Sequence, residues 1–261
     1  MAHVEISVDS YIATVTLNRP EVRNAFNEAV ITGMTQAFKE LGARDDVRCI
    51  VLAANGTAFS AGADLGWMKS MATYTYEQNV ADATALAEML RLIHRCPKPT
   101  IARVQGDVYA GGTGLVAACD IAVSVDTAHF CLSEVKLGLI PATISPYVIR
   151  AMGERAAHRY FLTAERFSAA EALRIGFVHE VVSAEQLDAK VAELAQTLVQ
   201  AGPAAEKACK QLLLDVAGQE ATPELVALTV KGIADIRVSE EGREGIQSFL
   251  GKRKPNWLPK D

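Results

Sequence analysis

Basic residues are in the minority in this 261-residue chain, cysteines form no motif, and no long uncharged apolar run occurs. Lys and Arg number 26 against 31 Asp and Glu, a formal charge of −5, which argues against a nucleic-acid or anionic-membrane partner. The one dense basic cluster, Lys252-Arg253-Lys254, reads as a solvated tail or a local phosphate site. The five cysteines (Cys49, Cys96, Cys119, Cys131, Cys209) are widely spaced and include no C-x-x-C. A zinc ribbon and a disulfide framework are therefore not expected, and a reducing compartment fits. With scattered histidines and no H-E-x-x-H, no metal site is expected either. The N-terminus shows no basic stretch leading into an apolar core, so a cytoplasmic protein is the expectation. Internal repeats and low-complexity segments are also missing.

What is present is an ordinary globular composition, 50% apolar and 22% charged, in a chain long enough to bury a large core. Strand and helix patterns alternate through the first two-thirds. "HVEISVDSYIATVTLNRP" predicts two period-2 strands around a turn at Asp9-Ser10. Residues 24–41 predict a helix with Phe26, Ala29, Val30, Met34, Ala37, Phe38 and Leu41 on its apolar face. "VRCIVLAA" is continuously apolar, the mark of a strand covered on both faces. A helix over 76–95 and a strand at "TIARVQG" follow, then short apolar runs at "DIAVSV" and "AHFCLS". A mixed or parallel sheet wrapped by helices is expected. The last third is nearly all helix: Ser168 caps "AAEALRIG", Ser183-Ala184-Glu185-Gln186 reads as a capping box, and Pro203 and Pro223 suit first-turn positions. Two regions are expected, a core over 1–200 and a helical region over 201–261.

Three turns carry the chemistry. "VYAGGTGLVAACDIAVS" imitates a dinucleotide fingerprint, with Glu134 twenty residues beyond Gly114. Too few residues separate its glycines from "DIAVSV" for the usual crossover helix, so the fit is poor. What remains is a tight turn into a short helix, whose exposed N–H groups favour negative charge. "FSAGADL" is a second turn with little side-chain cover, where Asp64 can open a helix. A hydrolase built on Ser60 is not supported, because the surroundings are not G-x-S-x-G. In "FCLSEVKLGLIP", Glu134 stands among apolar neighbours that would raise its pKa toward general acid–base values, with Lys136 nearby as a partner for it.

Together "LNRPEVRNAF", "AFSAGADL", "VQGDVYAGGTG", "CDIAVSV", "FCLSEVKLGLIP" and the ending "FLGKRKPNW" resemble, in order, the enoyl-CoA hydratase/isomerase (crotonase) family. The resemblance implies an α/β fold, a spiral of ββα units, with a C-terminal helical region used for assembly into trimers or dimers of trimers. It implies an acyl-CoA thioester as substrate, with CoA carried by the substrate and no separate cofactor. The N–H groups of Ala63 and Gly111 would hold the thioester oxyanion, and Glu134 would be the acid–base. Val22, Arg23 and Ala25 would line the CoA path. Ala61, Asp64 and Leu65 would lie near its adenine end, and the basic cluster near a CoA phosphate.

At one position the chain departs from the family pattern. Typical hydratases carry a second glutamate shortly after the glycine cluster, where this chain has Gly114. One-glutamate members include isomerases that shuttle a proton between carbons, and a non-catalytic acyl-CoA binder is a third alternative. "FCLSEVKLGLIPATISPYVIRAMGERAAHRYFLTAERF" and "ADLGWMKSM" are similar to hydratases of the methylglutaconyl-CoA type, which act on branched, carboxylated enoyl-CoAs in leucine and acyclic-terpene breakdown. Hydration is thus the expected reaction, with the substrate's own carboxylate standing where the glutamate is missing. "PATISP" also replaces a commonly glycine-rich run, which bears on the acyl pocket.

Overall fold

The structure is a computed structural model, and residues 2–258 are described. An antiparallel hairpin opens the chain, β1 (Val4–Asp9) and β2 (Ile12–Leu17), turning through Ser10 and Tyr11, both left-handed. The turn is thus one residue later than the alternation suggested. Helix α1 (Glu28–Ala43) begins later than expected, because Asn27 rather than Asn24 caps it and accepts from the Val30 N–H. Arg23 and Asn24 are both left-handed, which keeps helix from forming there. Phe26 consequently lies ahead of the helix, and Ala29 is exposed while Ile31 is buried.

From β3 to β8, consecutive strands alternate between two sheets. Strand β3 (Cys49–Ala54), buried at every position, joins the larger sheet, and β4 (Ala58–Ser60) joins the smaller. After α2 (Leu65–Met71) and α3 (Tyr76–His94), β5 (Thr100–Val104) returns to the larger sheet and β6 (Asp107–Tyr109) to the smaller. After α4 (Gly111–Ala118), β7 (Ile121–Val125) and β8 (His129–Cys131) repeat the move. This produces the spiral: each ββα unit adds one parallel strand to each sheet. Helix α5 (Ser145–Thr163), β9 (Phe167–Ser168), α6 (Ala169–Arg174) and β10 (Glu180–Val182) complete the sheets, ordered β1-β2-β3-β5-β7-β10 and β4-β6-β8-β9. The Ser183 side chain makes no capping bond. A short 3₁₀ turn at Ala184–Gln186 precedes α7 (Leu187–Gln200), so the expected capping box is not formed.

Helices α8 (Pro203–Val216), α9 (Pro223–Val238) and α10 (Glu240–Leu250) close the chain, two of them opening on proline and α10 capped by Ser239. Polar contacts fasten this arm to the sheets. Lys210 Nζ donates to Asp120 Oδ2 at 2.6 Å and to the Lys98 carbonyl at 3.1 Å. Arg48 donates to the Trp257 and Ala201 carbonyls, while within the arm Glu241 of α10 accepts from the Ala204 and Ala205 N–H groups at the start of α8. Near this junction, burial raises Glu206 to about 7, against a lowering by Arg48.

Because the folded state holds that proton above the ordinary 4.5, Glu206 weakens folding progressively as pH climbs past 4.5 toward 7. Glu206→Gln is expected to raise Tm at pH 8 and to leave it unchanged at pH 4. Equal shifts at both pH values would show that titration of this carboxyl is not the cause.

Candidate active site

The first two motifs are interlocked. Asn24, buried, donates through Nδ2 to the Asn55 and Ala58 carbonyls, and its own carbonyl accepts from Ser60 Oγ. Arg19 reaches across to Asp64, Nη2 to Oδ2 at 3.0 Å, and also donates to the Ala25 carbonyl. The Phe26 N–H bonds the Gly62 carbonyl, the Asp64 N–H bonds the Phe26 carbonyl, and the Ala61 N–H bonds the Arg23 carbonyl. Asp64 meanwhile caps α2 by accepting from the Gly66 and Trp67 N–H groups. Partial burial pushes its carboxyl up, but these donors and Arg19 outweigh that and hold it low. Val22, Arg23, Ala25, Ala61, Asp64 and Leu65 therefore fall on two segments tied to one another, with Leu65 exposed and Ala25 buried.

The second and third motifs meet through the smaller sheet. Strand β4 pairs in parallel with β6, and β6 with β8, so the turns leaving all three lie side by side. Gly62, at φ +86°, lies so close to the next turn that a Cβ on it would stand 2.9 Å from the Ala110 Cβ. Only glycine satisfies both the left-handed backbone and that contact. Ala110 itself has φ 46° and ψ −124°, a strained conformation for alanine, where the chain turns sharply from β6 into α4. Its N–H bonds the Cys131 carbonyl at 2.8 Å, and its carbonyl accepts from Thr113 N–H and Oγ1. Among the described residues, neither the Ala63 N–H nor the Gly111 N–H has an acceptor. Two unspent donors thus lie on adjoining turns.

Glu134 follows Cys131 by three residues and opens a 3₁₀ turn, Glu134–Leu137, that ends on left-handed Gly138. The side chain is partly buried, and its Oε2 is shut off from solvent without a hydrogen-bond partner. Burial raises its pKa, with a smaller lowering from its own backbone N–H. Lys136 is exposed and, among the described residues, forms no ion pair with Glu134. A carboxylate with one oxygen unpartnered and its pKa raised by burial is suited to take and give protons.

The part Arg19, Asn24 and Ser60 play in tying these turns together was not read from sequence, although all three lie inside quoted motifs; their partners lie far along the chain. The basic cluster is partly committed as well, because Arg253 is held by Glu244 at 2.6 Å. Among the described residues, no group of His, Cys, Asp and Glu is arranged to hold a metal. Nor, among them, is any helix long and apolar enough to cross a membrane.

This arrangement has many relatives. The family described as enoyl-CoA hydratase/isomerase matches residues 7–260. The mouse enoyl-CoA hydratase domain-containing protein 3, mitochondrial, is 32% identical, the match covering 94% of this chain and 81% of the mouse protein. Among solved structures, an enoyl-CoA hydratase from Shewanella pealeana superposes with a TM-score of 0.95 at 43% identity, covering 98% of this chain and 96% of that one. An enoyl-CoA hydratase from Mycobacterium smegmatis gives 0.92 at 32% identity, with 98% of each chain covered. Fold, motif order and full-length similarity agree, and the chain belongs to the enoyl-CoA hydratase/isomerase family, with the crotonase fold.

Proposed function

We propose that the protein is an enoyl-CoA hydratase, adding water across the Cα=Cβ bond of an enoyl-CoA thioester. The observation that carries this reading is Glu134, whose Oε2 is buried without a hydrogen-bond partner, three residues beyond the Cys131 carbonyl that holds the turn bearing the unspent Gly111 N–H. In the reaction, the thioester oxygen accepts from the Ala63 and Gly111 N–H groups. Glu134 takes a proton from water as the water oxygen bonds to Cβ, and the π electrons move onto the thioester oxygen as an enolate. Glu134 then returns a proton to Cα as the enolate collapses. Donors already in place gain strength as charge develops on the oxygen, each contributing about 2.7–4 kcal/mol to lowering the barrier.

CoA is assigned to the two interlocked segments, along Val22, Arg23 and Ala25, with the adenine end near Ala61, Asp64 and Leu65. The acyl group assigned is branched and carboxylated, 3-methylglutaconyl-like, on the likeness of the 130–167 segment to hydratases of that type. Exposed Leu213, Val226, Val230, Ile233, Phe249 and Leu250 on α8–α10 support self-association, as a trimer or a dimer of trimers.

A second reading, an enoyl-CoA isomerase, is favoured by one observation: Gly114 supplies no second carboxylate, and one base suffices to move a proton between carbons. Purified protein incubated with straight, branched and carboxylated enoyl-CoAs, with products weighed by mass spectrometry, separates the two. Hydration adds the mass of water, with the branched, carboxylated ester turned over fastest. Products of unchanged mass would establish isomerisation instead.

A further inference from the structure

Gly114 lies within α4, three residues from the Gly111 N–H, and its backbone is ordinary helix with no positive φ. The need for glycine there is one of space. A Cβ would stand 2.3 Å from Ile144 Cγ2 and 2.8 Å from Ile144 Cβ, with Leu90 Cδ2 at 3.5 Å. Rotating the isoleucine relieves only the first contact, because its Cβ is fixed to the backbone. Ile144 immediately precedes α5 and is 1% exposed, and Leu90 of α3 is fully buried. Three helices therefore meet at Gly114 through apolar groups packed to contact.

We propose that Ile144 decides how many carboxylates this site holds. Packed onto Gly114, it closes the face of α4 from which a second acid would project, and leaves Glu134 to take and return the proton alone. The inference rests on the reading of Glu134 given above; the packing does not. It also revises one expectation. A substrate carboxylate cannot stand against Gly114 in place of the missing glutamate, because Ile144 and Leu90 fill that space. It follows that Gly114→Glu by itself cannot build a two-carboxylate site.

The packing is tested by Tm in a four-member cycle of wild type, Gly114→Ala, Ile144→Gly and the double variant. Gly114→Ala is expected to lower Tm in the wild-type background by roughly 5 °C or more. In the Ile144→Gly background it should raise Tm, because alanine is the better helix former once the space is open. A shift of the same sign and size in both backgrounds overturns the proposal. The chemistry is tested by placing Glu134→Gln in wild type and in Gly114→Glu/Ile144→Gly. Relative to its parent, it should leave at least about tenfold more turnover in the second background, where another acid can serve. Equal losses in the two overturn the assignment of Ile144. A wild-type protein inert toward every enoyl-CoA ester would instead sink the functional reading, a result distinct from either failure of the cycle.

Discussion

Glu134→Gln is expected to reduce turnover by about 10²–10⁴-fold while leaving binding of CoA esters nearly unchanged. The amide keeps the size and polarity of the side chain but can neither accept a proton from water nor deliver one to Cα. Thioester binding depends on other groups, the Ala63 and Gly111 N–H donors and the CoA-lining segments, so the loss should fall on kcat with KM little changed. The pH profile gives an independent readout. Burial raises the Glu134 pKa, and the form that accepts a proton from water is the ionised one. Activity should therefore rise with pH through an acid limb lying above the ~4.3 of a free glutamate, and Glu134→Gln should abolish that limb. A variant with near wild-type rates would show that a different group is the base.

Lys210→Met is expected to be the most destabilising single change in the C-terminal arm. The Lys210 and Asp120 side chains are only 9% and 29% exposed, and Asp120 Oδ2 also accepts from Thr100 N–H and Oγ1 at 2.8 and 2.9 Å. Removing the ammonium leaves a partly buried carboxylate without its counter-charge, a loss of about 3–5 kcal/mol for fully buried pairs. The Thr100 donors and the exposure of Asp120 put this case at about the lower figure, a fall in Tm of roughly 6–12 °C for a chain of this size. Asp120→Asn added to Lys210→Met should recover part of the loss, since it removes the stranded charge and keeps an acceptor for Thr100. A double variant no more stable than Lys210→Met would show that the lysine acts through packing alone.

Much of this architecture is legible in local pattern. The all-apolar run at Cys49–Ala54 is a doubly covered strand, Pro203 and Pro223 open helices, and Asp64 caps the helix after "SAGA". These features depend on neighbours a few residues away. What escaped depends on distant partners. The late start of α1 follows from the Asn24 side chain bonding Asn55 and Ala58, more than thirty residues on, which holds the preceding loop in a non-helical path. The Arg19–Asp64 pair spans 45 positions and could not be paired from spacing. Gly114 was legible as an anomaly, whereas its reason, Ile144 pressed against it, lies thirty residues further along the chain. The Ser183 box failed for a nearer cause: a 3₁₀ turn intervenes before the helix it was expected to cap.

The central claim is that Glu134 adds water to an enoyl-CoA and returns a proton to Cα. Its most direct test is turnover of a branched, carboxylated enoyl-CoA in deuterated water enriched in heavy oxygen, followed by mass analysis of the product. The account predicts one heavy oxygen at Cβ and one deuterium at Cα, both lost together in Glu134→Gln. A product carrying no heavy oxygen, with the double bond moved, would contradict it.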